Sequence, residues 1–392
     1  MARPRVCSIW AAVRVVVAVW ILWLTTVTGS VHARYVLIDH YAGDSFLDRF
    51  DFFTGPDPTH GYVTYLDRPA ATRAGLVALR NESLYLGVDS NKLATGPGRA
   101  SVRITSQTSY HQCLLLLDLT HMPGSTCGTW PAFWTVGPNW PDGGEIDIIE
   151  GVNTQNTNAM SLHTNRTCHI RPDTAFSGTL IRDECERDRG PDGCTVVSTV
   201  AGTYGDELNE ISGGIYAMEW TEHGIRVWFF PRGSTPVDVL EGLPEPAQWP
   251  TPLASFTGDC QFNSSFTAQK IVFDTTFCGD WAGATWKEDS VCSPLAEDCE
   301  TYVRDNPAAF TESYWSINHL KVYDLSSGAP LNDSSHGSVV GSSRVTGPSP
   351  SNMSVPQPST GPDATGPRTW YWRGHFAWMM TDVAEAPGPS TR

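Results

Sequence analysis

Positive charge is scarce in this sequence. Its 392 residues carry 26 Lys and Arg against 42 Asp and Glu, a formal net charge of −16. Three of the basic residues, Arg3, Arg5 and Arg14, lie in an N-terminal stretch with the form of a removable signal. A surface this acidic repels phosphate backbones and anionic lipid headgroups. That excludes nucleic acid as a partner and leaves neutral ligands open. CxxC spacings are also missing, which removes the ordinary zinc and thiol-redox motifs. Helical periodicity is nearly absent. The body reads instead as many short strands punctuated by Gly, Pro and Asn, the pattern of a β-sandwich or barrel.

The cysteines point to an oxidising compartment. Outside Cys7 there are nine: Cys113, Cys127, Cys168, Cys185, Cys194, Cys260, Cys278, Cys292 and Cys299. Disulfides are the expected use, and an odd number leaves one thiol over. Cys113, inside an apolar run, is the expected free one. Glycosylation sequons at Asn81, Asn165, Asn263, Asn332 and Asn352 fit the same compartment. Residues 1–33 read as a signal peptide, with an apolar core from Val15 to Val27 and a small-residue cleavage site at Val31-His32-Ala33. No Lys, Arg, Asp or Glu falls between Val15 and Ala33, so an uncleaved anchor is the alternative. The expectation is a secreted, monomeric protein with no membrane attachment after cleavage.

Three segments follow: the signal at 1–33, a globular body at 34–325 and a tail at 326–392. In the body, Tyr35–Ile38 and Ser83–Val88 read as strands. Cys113–Leu119 is apolar throughout, as for a strand buried on both sides. Ile215–Trp220 and Ile225–Phe230 flank Glu222-His-Gly224 as a hairpin. Lys270–Thr275 and Tyr314–Tyr323 follow, and the second of these is expected to close the sheet. Ser326–Arg368 is rich in Ser, Gly and Pro and reads as a disordered linker. It leads to an aromatic patch, Trp370-Tyr-Trp-Arg-Gly-His-Phe-Ala-Trp-Met-Met380, for which there is no physical account.

The most informative stretch is Trp130 to Gly151, which holds three indoles within eleven residues, a Gly-Gly turn and then Glu145-Ile-Asp147-Ile-Ile-Glu150. Side chains alternate along a strand, so Glu145 and Asp147 share a face. Strict alternation would turn Glu150 to the other face. One extra residue at Ile148-Ile149, taken up as a β-bulge, returns it to the acids. A row of three carboxylates is costly, because each charge opposes the next ionisation. Its natural uses are acid/base and nucleophilic chemistry. Hydrolysis of a glycoside needs one carboxylic acid to protonate the leaving oxygen and a second carboxylate opposite it, and Glu145 and Glu150 supply both. Side chains leaning inward would bring them to the ~5 Å of a retaining enzyme, although sequence does not separate this from the wider inverting spacing. Indole faces pack against the C–H face of a pyranose, so Trp134 and Trp140, expected on loops around the acidic face, suit a sugar cleft.

Cys127-Gly-Thr-Trp-Pro-Ala-Phe-Trp134 and Asn139-Trp-Pro-Asp-Gly-Gly-Glu-Ile-Asp-Ile-Ile-Glu-Gly-Val-Asn153 together resemble the active-site segment of the fungal laminarinase-type glycoside hydrolases of family 16. Phe50–Gly61, Leu162-His163-Thr, Phe277–Gly283 and Tyr314–Asn318 agree, so the resemblance covers roughly Tyr35 to Leu325. It implies an all-β, concanavalin A-like jelly-roll sandwich of two antiparallel sheets with a concave cleft. It also implies an endo-β-glucanase that cleaves β-1,3 or mixed β-1,3/1,4-glucan with retention and needs no cofactor. Glu145 would be the nucleophile, Glu150 the general acid/base and Asp147 the assisting carboxylate. His163, Trp130, Trp134, Trp140 and Trp281 match positions at or near sugar subsites. Cys113 and the tail depart from the pattern, and neither touches the acid row.

Three other readings compete. A non-catalytic sugar-binding jelly roll needs the aromatics but not the acids. A wall-remodelling transglycosylase of the same family shares every residue up to the glycosyl-enzyme. A Ca²⁺ site would favour a loop with spaced Asp and Asn rather than a strand flanked by indoles.

Overall fold

The structure is a computed structural model that describes residues 34–326, apart from 172–174, 188 and 190–192. The expected signal segment and the tail from 327 onward lie outside the described residues, as do the sequons at Asn332 and Asn352. The described sequons, Asn81, Asn165 and Asn263, are all exposed.

Valine, isoleucine and aromatic residues in period-two runs make strands, and these strands form two eight-stranded antiparallel sheets. Across the first sheet the order is Ala254–Phe256, Gly224–Pro231, Gly214–Thr221, Cys113–His121, Tyr314–Ser326, Ser83–Gly87 and Val77–Arg80. Arg34–Ala42 pairs with the second half of Tyr314–Ser326. Across the second sheet the order is Thr179–Arg182, Cys194–Val197, Ala159–His163, Glu145–Glu150, Thr129–Val136, Gln269–Phe277, Arg103–Tyr110 and Phe50–Phe52. The helices between them are short, and no described helix is long and apolar enough to cross a membrane.

The main core lies between the sheets. Leu115, Leu117 and Leu119 meet the same cluster as Phe133, Ile146, Ile148, Leu162 and Phe273. Leu114 and Leu116 point the other way, into a second cluster with Tyr35, Trp228, Phe230 and Trp249. Cys113–Leu119 is therefore buried on both faces, as its unbroken apolar run requires. Full burial of each leucine contributes about 1.5–3 kcal/mol. The hairpin turns at Glu222-His223, as expected.

One expectation is corrected. Tyr314–Ser326 does not close the sheet. It sits inside it, between Cys113–His121 on one side and Ser83–Gly87 plus Arg34–Ala42 on the other. Alternation reports which face is buried, and a strand with one partner shows the same alternation as a strand with two.

Four disulfides pair Cys127 with Cys292, Cys168 with Cys260, Cys185 with Cys194 and Cys278 with Cys299. Cys113 is free and buried, and burial pushes its thiol up to about 12, so it is inert at neutral pH. Cys127–Cys292 and Cys278–Cys299 belong to a separate small core with Phe277, Trp286, Val303 and Phe310. That core anchors the helical turn Gly279–Gly283, which carries Trp281.

Candidate active site

Three strands position the acids. Glu145 lies opposite Val136, Asp147 opposite Trp134, Ile149 opposite Phe133 and Glu150 opposite Ala132. Phe133 answers Ile149 directly after Trp134 answers Asp147, so Ile148 is the extra residue. On the other side Asp147 faces Ser161 and Glu150 faces Ala159, and the same residue is surplus. The bulge lets Ile146, Ile148 and Ile149 all enter the core. It also keeps Glu145, Asp147 and Glu150 on the face of Trp130 and Trp134. Hydrophobic burial of two successive isoleucines and the alignment of the third acid are one event. The Gly143-Gly144 turn that feeds this strand is held by buried Gln269. Its side chain donates to the Gly143 carbonyl at 2.7 Å and accepts from the Thr135 hydroxyl at 2.7 Å.

The acids are tied in different ways. Glu150 Oε1 accepts from the Trp130 indole N–H at 2.9 Å. Glu145 is hydrogen-bonded by the Trp140 side chain and lies 3.9 Å from His163 Nε2. Asp147, 2% exposed, hydrogen-bonds with Glu145, and its Oδ2 lies 3.3 Å from His163 Nε2. Gly193 (φ +68°) lies against the far side of His163, where a Cβ would come 2.6 Å from Nδ1. His163 thus reaches two of the three acids, and its ring is confined from behind.

Desolvation dominates the electrostatics. It raises Glu145, Asp147 and Glu150 each to about 8, with neighbouring carboxylates adding to the shift. His163 opposes the shift at Glu145 and Glu150, as do the Trp140 and Trp130 hydrogen bonds, respectively. Asp274 is raised to about 7 by the same burial, held back by Arg103, 3.6 Å away. Arg103 lies 4.9 Å from the Trp134 ring centre. Asp274 opposes Ala132, which opposes Glu150, so this acid–cation pair lies on the same face beside the acid row, and the Asp274 charge acts on Asp147.

These shifts fix a stability trend. The four carboxyls ionise near 7–8 when folded, against ordinary values of 3.8–4.5. Between those limits the folded chain holds protons that the unfolded chain has released, so stability falls as pH rises. The melting temperature is expected to decrease from pH 5 to pH 8. The slope should be shallower in Glu145→Gln and in Asp147→Asn. A scanning fluorimetry series that rises over this range would contradict the assigned burial.

The five expected sugar-contacting residues all surround the acids. Trp130 and Trp134 lie on the strand Thr129–Val136 and share the acid face, so Trp134 is on a strand and not on the expected loop. Trp281 meets Trp130 edge to face at 5.6 Å. Trp140, 43% exposed, stands on the turn before the acids, with the Arg187 guanidinium 4.3 Å from its ring centre. One face of that indole is thus already covered by a cation. The residues the sequence did not single out are Arg103, Asp274, Gln269, Arg187 and Asn158. Of these only Asp274 had a signal, a charge within an apolar strand that alternates with the core residues Ile271 and Phe273.

Glu145, Asp147 and His163 bring one ligand atom each within 4.8 Å of one another, a set compatible with a divalent cation. Beside them lie the indoles of Trp134, opposite Asp147, and of Trp140, bonded to Glu145. That environment suits a sugar ring over a carboxylate pair better than a hydrated ion.

Comparison with known proteins agrees. The family model described as the XgeA-like catalytic GH16 domain matches residues 50–323. A probable endo-1,3(4)-beta-glucanase of Aspergillus niger is 49% identical over 298 residues, which is 74% of this chain and 40% of the relative. The endo-1,3(4)-beta-glucanase xgeA of Emericella nidulans is 46% identical over 308 residues, 76% of this chain and 49% of the relative. The chain thus spans less than half the length of either. Among solved structures, an elongating GH family 16 beta-1,3-glucosyltransferase is 46% identical with a TM-score of 0.71, covering 74% of this chain and 100% of its own. Laminarinase 16A of Phanerochaete chrysosporium, solved with beta-glucans in both donor and acceptor sites, is 40% identical with the same TM-score and coverage. Strand order, acid row and family match lead to one assignment: the chain belongs to glycoside hydrolase family 16, with residues 50–323 as its catalytic domain.

Proposed function

We propose that this chain is a secreted endo-β-glucanase that hydrolyses β-1,3 or mixed β-1,3/1,4-glucan by retaining double displacement. The observation that carries the reading is the bulged strand, which brings Glu145, Asp147 and Glu150 to one indole-lined face. In this reading Glu145, bridged to Asp147 and His163, is the nucleophile. Burial, with the Asp147 carboxylate adding to it, raises Glu150 and keeps that residue an acid toward the leaving oxygen. Once Glu145 is esterified by sugar its charge is gone, and Glu150 acts as base toward water. Asp147 takes part in the Glu145 hydrogen bond and holds that carboxyl in place. The four disulfides support passage through an oxidising compartment.

The test is digestion of laminarin and barley mixed-linkage glucan side by side, with product sizes read out. Internal cleavage of either supports the reading. No new reducing ends from either substrate, with glucan still bound, would mark a sugar-binding jelly roll instead.

A second reading has its own support: a solved neighbour at 46% identity is an elongating glucosyltransferase. Hydrolysis and transfer diverge only when water or a sugar hydroxyl meets the glycosyl-enzyme. Products longer than an oligosaccharide substrate favour transfer, and only shorter products favour hydrolysis.

The Trp130–Glu150 bond gives a further prediction. Trp130→Phe keeps an aromatic face but loses the N–H that lowers Glu150. A hydrogen bond to a charged group contributes about 1.5–3 kcal/mol, so kcat is expected to fall by about 10-fold or more. KM should change little, and the basic limb of the pH profile should move to higher pH. An unmoved limb would mean that the bond does not act on the titrating group.

A further inference from the structure

The bulge in Glu145–Glu150 creates a hydrogen-bonding problem. The strand carries Ile148 and Ile149 where Ala159–His163 offers only Met160. A bulge breaks the ladder locally. The Ile148 carbonyl and the Glu150 amide are therefore left to find partners in a region where Ile148 and Ile149 are fully buried. An unpaired buried peptide group is strongly destabilising, so something must replace the missing peptide.

Asn158 does so. Its Oδ1 accepts from the Glu150 N–H at 2.9 Å, and its Nδ2 donates to the Ile148 carbonyl at 2.7 Å. One carboxamide thus stands in for one peptide unit across the bulge. Asn158 is 0% exposed. Its carbonyl accepts from the Ser198 amide at 2.8 Å, and its own N–H faces the Thr203 hydroxyl at 3.5 Å. The side chain is therefore fixed from its own backbone outward. The donor must face Ile148 and the acceptor Glu150, which an asparagine satisfies and neither an aspartate nor an aliphatic residue can.

We propose that Asn158 is a positioning residue for the acid/base. It sets the backbone phase of the bulge and so the direction in which Glu150 leaves the strand, while the Trp130 indole holds the carboxyl tip. The inference rests on the reading of Glu150 as acid/base. Glu145, five residues back beyond the bulge, has no bond to Asn158. A defect at Asn158 should therefore appear in proton transfer, not in nucleophilic attack.

The experiment uses the full chain carrying Asn158→Asp or Asn158→Ala, with Glu150→Ala as reference. Laminarioligosaccharide hydrolysis is compared with the first-turnover release of dinitrophenolate from a 2,4-dinitrophenyl β-glucoside oligomer. That aryl leaving group needs no acid, and the first turnover ends before a base is needed. Misplacing a catalytic group by about 1 Å costs on the order of 10²-fold. On the oligosaccharide both Asn158 variants should therefore lose about 10²-fold in kcat with little change in KM. On the aryl substrate the first-turnover rate should stay within about threefold of wild type, because glycosylation of Glu145 then calls on no acid. Equal losses on both substrates would overturn the proposal, as would unchanged kcat on the oligosaccharide. Failure of both variants to fold would also overturn it, making Asn158 a folding residue. If Glu150→Ala itself shows no difference between the substrates, the acid/base reading fails and not the role of Asn158 alone.

Discussion

Replacing Glu145 by glutamine is expected to abolish turnover of laminarin, with a loss on the order of 10⁴-fold or more. The amide has the carboxylate's shape but no nucleophilic oxygen, so the glycosyl-enzyme does not form. Fold and glucan binding should survive, since the core side of this strand is carried by Ile146, Ile148 and Ile149. The electrostatics sharpen the expectation. Glu145 is raised to about 8 by burial and by Asp147 and Glu150. Removing its charge relieves those neighbours, so the melting temperature at pH 8 should rise while activity disappears. Opposite movement of the two readouts is the signature of a residue that trades stability for chemistry. Activity and melting temperature that fall together would identify Glu145 as a structural residue.

How far the acid row was legible depends on the kind of constraint. The bulge at Ile148-Ile149 was readable because two local demands met in six residues: three carboxylates wanted one face and the isoleucines the other. Burial of Cys113–Leu119 on both faces was readable because the run has no polar alternate. The leftover cysteine was readable by the same logic, since it lies in that run. What stayed hidden was pairing across long separations. Asp274 and Arg103 lie 171 positions apart in sequence and on adjacent strands, and alternation does not name neighbours. Gln269 supports a turn more than a hundred residues earlier, and nothing near it in sequence says so. Asn158 sits in a polar run that reads as loop, yet it completes the strand on which the site depends. The interior position of Tyr314–Ser326 was hidden for the same reason: period two gives a face, not a partner count. Trp134 reads as loop because Pro131, Gly137 and Pro138 punctuate its surroundings, whereas alternation with Phe133 puts it on the strand.

Glu150→Ala should separate the two halves of the reaction. On laminarin the loss is expected at about 10²–10⁴-fold, because a glucosyl hydroxyl leaves poorly without a proton. On an aryl glycoside with a good leaving group, Glu145 should still be glycosylated, and turnover should then stall for want of a base. Truncation to alanine opens room on the leaving-group face beneath Trp130. Azide fits there, arrives already anionic and needs no deprotonation, so it should restore turnover. Its product reports the geometry directly. Attack on a glycosyl-enzyme gives the β-glycosyl azide, two inversions making one retention, whereas direct displacement gives the α anomer. The pH profile should change in the same variant. Wild-type activity is expected to fall as pH rises through the ionisation of Glu150, raised by burial to about 8. That limb should disappear with the residue, while a limb set by ionisation of Glu145 stays. A β-azide product with no basic limb would assign both carboxylates at once. Absence of azide acceleration would remove Glu150 from the acid/base role, and an α product would place the two carboxyls at the wider separation of an inverting site.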